Sequence, residues 1–159
     1  MSEDKMKRYL EGLEAALKDG FVKVIIEIDD GPNEAIWCKP VEDQKGLLRV
    51  DNIPFFTNVC CVDDIIEAEF EEGHRFKFLR TVERMTQGIY LQYEMDEMDL
   101  AEVRQRYRVF VHACNEHNLK VEAPIAGYAV VAVPYGEIDS SEGIILESAD
   151  TAGLEVEFC

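Results

Sequence analysis

Positive charge is what this sequence has least of. After Lys120 there is no Lys or Arg, and over the whole chain 16 basic residues stand against 33 acidic ones, a formal charge of −17. Phosphate backbones and anionic lipid surfaces are repelled by such a surface, which argues against nucleic acid or membrane as a direct partner. Long apolar runs are missing too. None approaches the roughly 18 residues of a spanning helix, and the opening stretch MSEDKMKRYLEGLEAALKDG carries charges where an export signal needs its apolar segment. A cytoplasmic protein is expected. The cysteines, Cys38, Cys60, Cys61, Cys114 and Cys159, are odd in number, so reduced thiols are expected in place of a disulfide framework.

Strong catalytic signatures are equally scarce. No G-x-S-x-G elbow is present, and Gly31-Pro32 and Gly73 lack the glycine and lysine pattern of a phosphate-cradling loop. The acidic stretch around Asp96 lacks the D-x-D-x-D-G spacing of a calcium loop. The sequence therefore predicts a protein that is not an enzyme and carries no metal or cofactor. What is present is globular: 47% apolar and 31% charged residues over 159 positions, enough for one domain or two very small ones.

Apolar spacing at Met6, Leu10, Leu13 and Leu17 predicts a helix over Glu3 to Asp19, stopped by Gly20. Short strands follow: FVKVIIEID, EAIWCKPV with Pro40 near an edge, GLLRV, DIIEAEF and HRFKFLRTV, the last two joined by a turn at Glu71-Glu72-Gly73. Such a set suggests a small, strongly bent sheet or barrel. From IYLQYEM onward the order is β-α-β-β-α-β. The first of its helices has Asp99 and Glu102 as a capping box and a stripe through Leu100, Val103, Tyr107, Phe110, Val111 and Cys114. The second is capped by Asp139 or Ser140. That order is the ferredoxin-like plan. The expectation is an α+β chain, with an N-terminal helix and barrel-like part over 1–85 and a ferredoxin-like part over 86–159.

Three segments, Glu34-Ala35-Ile36-Trp37, Asp51-Asn52-Ile53-Pro54-Phe55-Phe56 and Asp63-Asp64-Ile65-Ile66-Glu67-Ala68, resemble the signature of an uncharacterised bacterial domain family with a tryptophan strand, an N-I-P-F-F segment and a G-D-x-V-x-A strand. The resemblance spans about Val22 to Phe158 and implies a bacterial origin without assigning chemistry. Asp63 stands where the family usually has glycine, so a different turn before Asp64 is expected.

Cys60 and Cys61 have carboxylates nearby and no cation to lower their pKa, which makes them packing residues. Phe55 and Phe56 are read as a plug closing the barrel, and Asn52 as satisfying turn backbone. His112 and His117 are five apart, about 140° around a helix, so they cannot share an ion. Acidity then carries the functional expectation. Glu94, Asp96, Glu97 and Asp99 form one group of candidate partner-binding residues, and Glu137, Asp139 and Glu142 form a second. The reading is an acidic binding protein that neutralises a basic partner, as an immunity protein covers a toxin nuclease. A small-ligand regulatory domain with an apolar pocket between the two halves, and a thiol enzyme using Cys38, Cys60 or Cys61, are the alternatives.

Overall fold

The computed structural model describes residues 2–71, 75–94 and 99–159. Its contacts divide the chain into two units, Met1–Thr86 and Gln87–Cys159, each with a hydrophobic core of its own.

The first unit contains helix α1 (Glu3–Ala16) and strands β1 (Val22–Ile26), β2 (Glu34–Pro40), β3 (Leu47–Val50), β4 (Ile65–Glu71) and β5 (Arg75–Glu83). Each strand pairs antiparallel with the next, and β5 returns to lie parallel beside β1 with Val24 opposite Phe76 and Ile25 opposite Lys77, closing a five-stranded barrel. Alternation sorts the side chains: Val22, Val24, Ile36 and Cys38 point inward, whereas Lys23, Trp37 and Lys39 between them point out. Barrel closure leaves no open sheet edge in this unit.

Helix α1 differs from its sequence reading in both length and facing. It ends at Ala16, because Leu17 is already extended and Lys18 bridges to Phe21, so the chain leaves the helix before Gly20. The residue it buries most deeply is Tyr9, flanked by Met6, Leu13 and Ala16, while Leu10 and Leu17 stay exposed. The aromatic ring outcompetes the leucines because it meets Phe76 edge-on, with centroids 5.3 Å apart. Gly12, one helical step from Tyr9, lets the helix approach Phe70 closely: a Cβ there would stand 2.5 Å from the ring.

The second unit contains β6 (Thr86–Tyr93), α2 (Leu100–Glu116), β7 (Lys120–Ile125), β8 (Tyr128–Pro134), α3 (Ile138–Ala152) and β9 (Val156–Phe158). Its sheet order, β7-β8-β6-β9, is the ferredoxin-like one, with β6–β9 and β7–β8 antiparallel. Residues Ala129 to Val133 are all buried, as the apolar run in YAVVAV predicts. Val103, Phe110 and Cys114 of α2 meet Ile145 and Ala149 of α3 in the core, and Leu100 at the start of the expected stripe is exposed. Asp99 caps α2 by accepting from the Glu102 N–H at 2.9 Å, but the Glu102 carboxylate reaches forward to Arg106. Helix α3 starts two or three residues earlier than predicted. The turn in which Glu137 N–H donates to the Pro134 carbonyl makes Glu137 its cap, and Asp139 falls inside the first turn. The expected turn at 71–73 lies partly outside the described residues.

Candidate functional site

The three segments that carry the family resemblance come together around the loop 51–64, and their polar residues hold it. Glu34 is 7% exposed, and its two carboxylate oxygens accept from the N–H groups of Phe55 and Phe56 at 2.5 and 3.0 Å. Asn52 accepts from the Trp37 N–H at 2.7 Å, a bond across 15 residues and not within a turn. Asp64 is fully buried. Its carboxylate accepts from Cys61 N–H at 2.9 Å, Met85 N–H at 2.6 Å and Thr86 N–H at 3.1 Å, and Arg84 Nε lies 3.0 Å away. These are scaffold groups with their lone pairs occupied. Phe56 is 69% exposed and Phe55 half-buried, so the two phenylalanines do not form the expected plug; the loop's residue in the barrel core is Cys60, and Ile53 and Pro54 are buried beside it in the loop. Asp63 has φ of 69°, in the left-handed region that glycine enters freely, so the turn keeps a glycine-type conformation with aspartate in place.

The thiols are packing groups. Cys38, Cys60, Cys61 and Cys114 are buried and Cys159 is exposed. Burial pushes the Cys60 thiol up to about 12, with the Asp64 charge adding to it, and the Cys114 thiol up to about 11. Burial raises Cys38 and Cys61 as well. A thiol held protonated is not a nucleophile at neutral pH. His112 is exposed and lies 3.4 Å from Glu116, His117 ends α2, and Cys114 faces the core. Among the described residues no group of three His, Cys, Asp or Glu side chains is placed to hold a metal ion. No helix among them is long and apolar enough to cross a membrane.

The acidic candidates divide by the ends of β6. Glu94 follows Tyr93, and its N–H donates to Glu155; Glu94, Glu155 and Glu157 line one groove with Gln92 and Val156. Glu137 sits at the other end, where Gly136 N–H donates to the Gln87 side chain. From Gln87 to Tyr93 the strand spans about 20 Å at about 3.3 Å per residue, so Glu94 is grouped with the late carboxylates Glu155 and Glu157 and not with Glu137, Asp139 and Glu142. Asp99 is committed to capping α2. Asp96 and Glu97 lie outside the described residues.

Charge pairing distinguishes the two units. In the first, Glu27, Asp51, Asp64, Glu67 and Glu71 are each within 4.0 Å of a Lys or Arg nitrogen. In the second, seven carboxylates from Glu137 to Glu157 make no ion pair among the described residues, and only Glu142 of them is not fully classed as exposed.

The first unit also holds a cavity of about 280 Å³ between α1 and β4, with Lys5, Arg8 and Tyr9 of the helix on one side, the β4 run from Glu67 to Glu71 on the other, and Leu79 of β5 beside them. The Tyr9 hydroxyl is buried without a hydrogen-bond partner.

No protein-family model matches the chain, and no curated protein matches it. A solved structure of similar fold is that of a hypothetical protein from Neisseria gonorrhoeae, 17% identical, with a TM-score of 0.58 over 89% of this chain and 95% of that one. At that identity the likeness is one of fold, and it is consistent with an uncharacterised family.

Proposed function

We propose that this protein is a non-catalytic binding protein whose second unit is covered by a basic protein, in the manner of an immunity protein masking a toxin nuclease. The observation that supports it most is the set of seven carboxylates from Glu137 to Glu157 that form no ion pair among the described residues. Unpaired surface charge of one sign raises the rate of encounter with an oppositely charged partner and mimics the phosphates that a nuclease cleft is built to receive. The protonated, buried thiols and the occupied lone pairs of Glu34 and Asp64 support the absence of a catalytic role. Contacts are assigned to Glu137, Asp139 and Glu142 at one end of β6 and to Glu94, Glu155 and Glu157 at the other.

The test is capture from the source lysate at low salt, elution at high salt, and reconstitution with the purified eluted protein. A partner of basic pI is expected, with an association rate at least about tenfold lower for a Glu137→Gln, Asp139→Asn, Glu142→Gln triple variant or its counterpart at Glu94, Glu155 and Glu157. Retention of acidic proteins alone, or unchanged rates for both triple variants, would overturn the reading.

A further inference from the structure

The cavity beside α1 is set apart by the state of the charges around it. On β4, Glu67 is taken by Arg80 at 2.6 Å, and Glu71 by Arg75 at 3.2 Å and Lys77 at 3.8 Å. Lys77 itself turns to Glu27 at 3.1 Å. That leaves Glu69, opposite Lys77 in the strand register and acting on it only at longer range, without an ion pair among the described residues, although it lies between two paired glutamates. Across the cavity, Lys5 and Arg8 of α1 also make no ion pair among the described residues, in a protein with a twofold excess of acid. The apolar part of the lining is Tyr9, Phe70 and Leu79, the last 44% exposed.

The lining thus offers two cations from the helix and three carboxylates from the strand, of which Glu67 and Glu71 are already held by Arg80, Arg75 and Lys77, so that Glu69 is the one left to meet a ligand's positive charge, and this restricts the ligand. A simple organic anion meets Lys5 and Arg8 but is repelled by Glu69. A simple amine meets Glu69 but is repelled by the two cations. A molecule carrying both charges next to each other, with an apolar substituent, satisfies all three groups. The volume allows it: about 280 Å³ exceeds the roughly 150 Å³ of a cavity that takes up benzene. We propose that the cavity between α1 and β4 binds a free α-amino acid with an apolar side chain, its carboxylate on Lys5 and Arg8 and its ammonium on Glu69. This site is on the first unit and is separate from the acidic surface assigned above.

Calorimetric titration of the full chain with L-leucine tests it, beside leucinamide, which lacks the carboxylate, and 4-methylpentanoate, which lacks the ammonium. Leucine is expected to bind, and each analogue to bind at least about tenfold more weakly, one well-placed charge-assisted contact being worth that much. Arg8→Ala or Lys5→Ala is expected to weaken leucine at least about fivefold while tightening leucinamide, which loses a repelling charge, and Glu69→Gln to abolish the preference for leucine over 4-methylpentanoate. Lys5 and Arg8 are exposed and Glu69 is half-buried, and far-ultraviolet circular dichroism checks that each variant is folded. Absence of leucine binding, analogues that bind as well as leucine, or folded variants that bind unchanged would each overturn the proposal. Capture of a basic protein by the second unit is expected to be the same in Arg8→Ala as in the unsubstituted chain, which keeps the two proposals distinguishable.

Discussion

Asp64 shows how a single side chain can tie distant backbone together. Its carboxylate is 0% exposed and receives three N–H groups, from Cys61, Met85 and Thr86, beside Arg84. Truncation to alanine would strand those donors and leave Arg84 without its nearest anion. Asp64→Ala is therefore expected to lower unfolding stability by on the order of 3 kcal/mol, read as a shift of the urea midpoint. Glu34 and Asn52 belong to the same scaffold, and this layer was not legible from the chain alone. Their partners lie 21, 22 and 15 residues away, so no local spacing signals them. What could be read locally was that Cys60 and Cys61 have acids and no base beside them, and the structure places both thiols in the interior as packing groups. Asp63 was legible as a substitution for glycine but not in its outcome, because aspartate tolerates the positive φ that bulkier side chains resist.

Among the elements, α1 depends most on a single small residue. Gly12 is buried against Phe70, and any Cβ would have to displace that ring, which in turn packs on Phe76 with centroids 5.2 Å apart. Gly12→Val is expected to cost about 2 kcal/mol from overpacking, in spite of the gain in helix propensity, and to loosen α1 before the barrel. Amide exchange would record this as faster exchange in residues 6–16 with little change in β1 and β2. The helix was predicted from leucine spacing, yet its buried face follows Tyr9, since a large ring near a small residue wins the interior from leucines a turn away. Strand existence was far easier to read. β-branched alternation marks β1, β2 and β4 directly, whereas the barrel's closure by β1 and β5 had no sequence signal beyond the number and shortness of the strands.

For the whole molecule, the order β-α-β-β-α-β sufficed to give the sheet order of the second unit, because crossover rules leave few arrangements for it. The acidic surface was legible as composition, but its division between the two ends of β6 was not, since that depends on which way β8 runs. One bulk property follows from the interior. Burial raises Cys60 to about 12, Cys114 to about 11 and Tyr107 to about 12, so the folded chain keeps these protons where the unfolded chain loses its thiol protons near 9. More protons in the folded state means that stability falls as pH rises: the contribution is fully present below pH 9 and is lost as pH climbs through 11 and 12. The urea midpoint is expected to drop between about pH 8 and about pH 10.5, and Cys60→Ala, which removes one such proton, to show a shallower drop by up to about 1.4 kcal/mol per pH unit.

The seam between β1 and β5 has a consequence for synthesis on the ribosome. Val24 and Ile25 find their outer partners only at Phe76 and Lys77, some fifty residues later. A nascent chain emerging from the exit tunnel therefore carries β1 with one side unmatched until the last strand of the barrel is out, and a pause in translation between the two would prolong the interval in which that side can pair with a neighbouring chain.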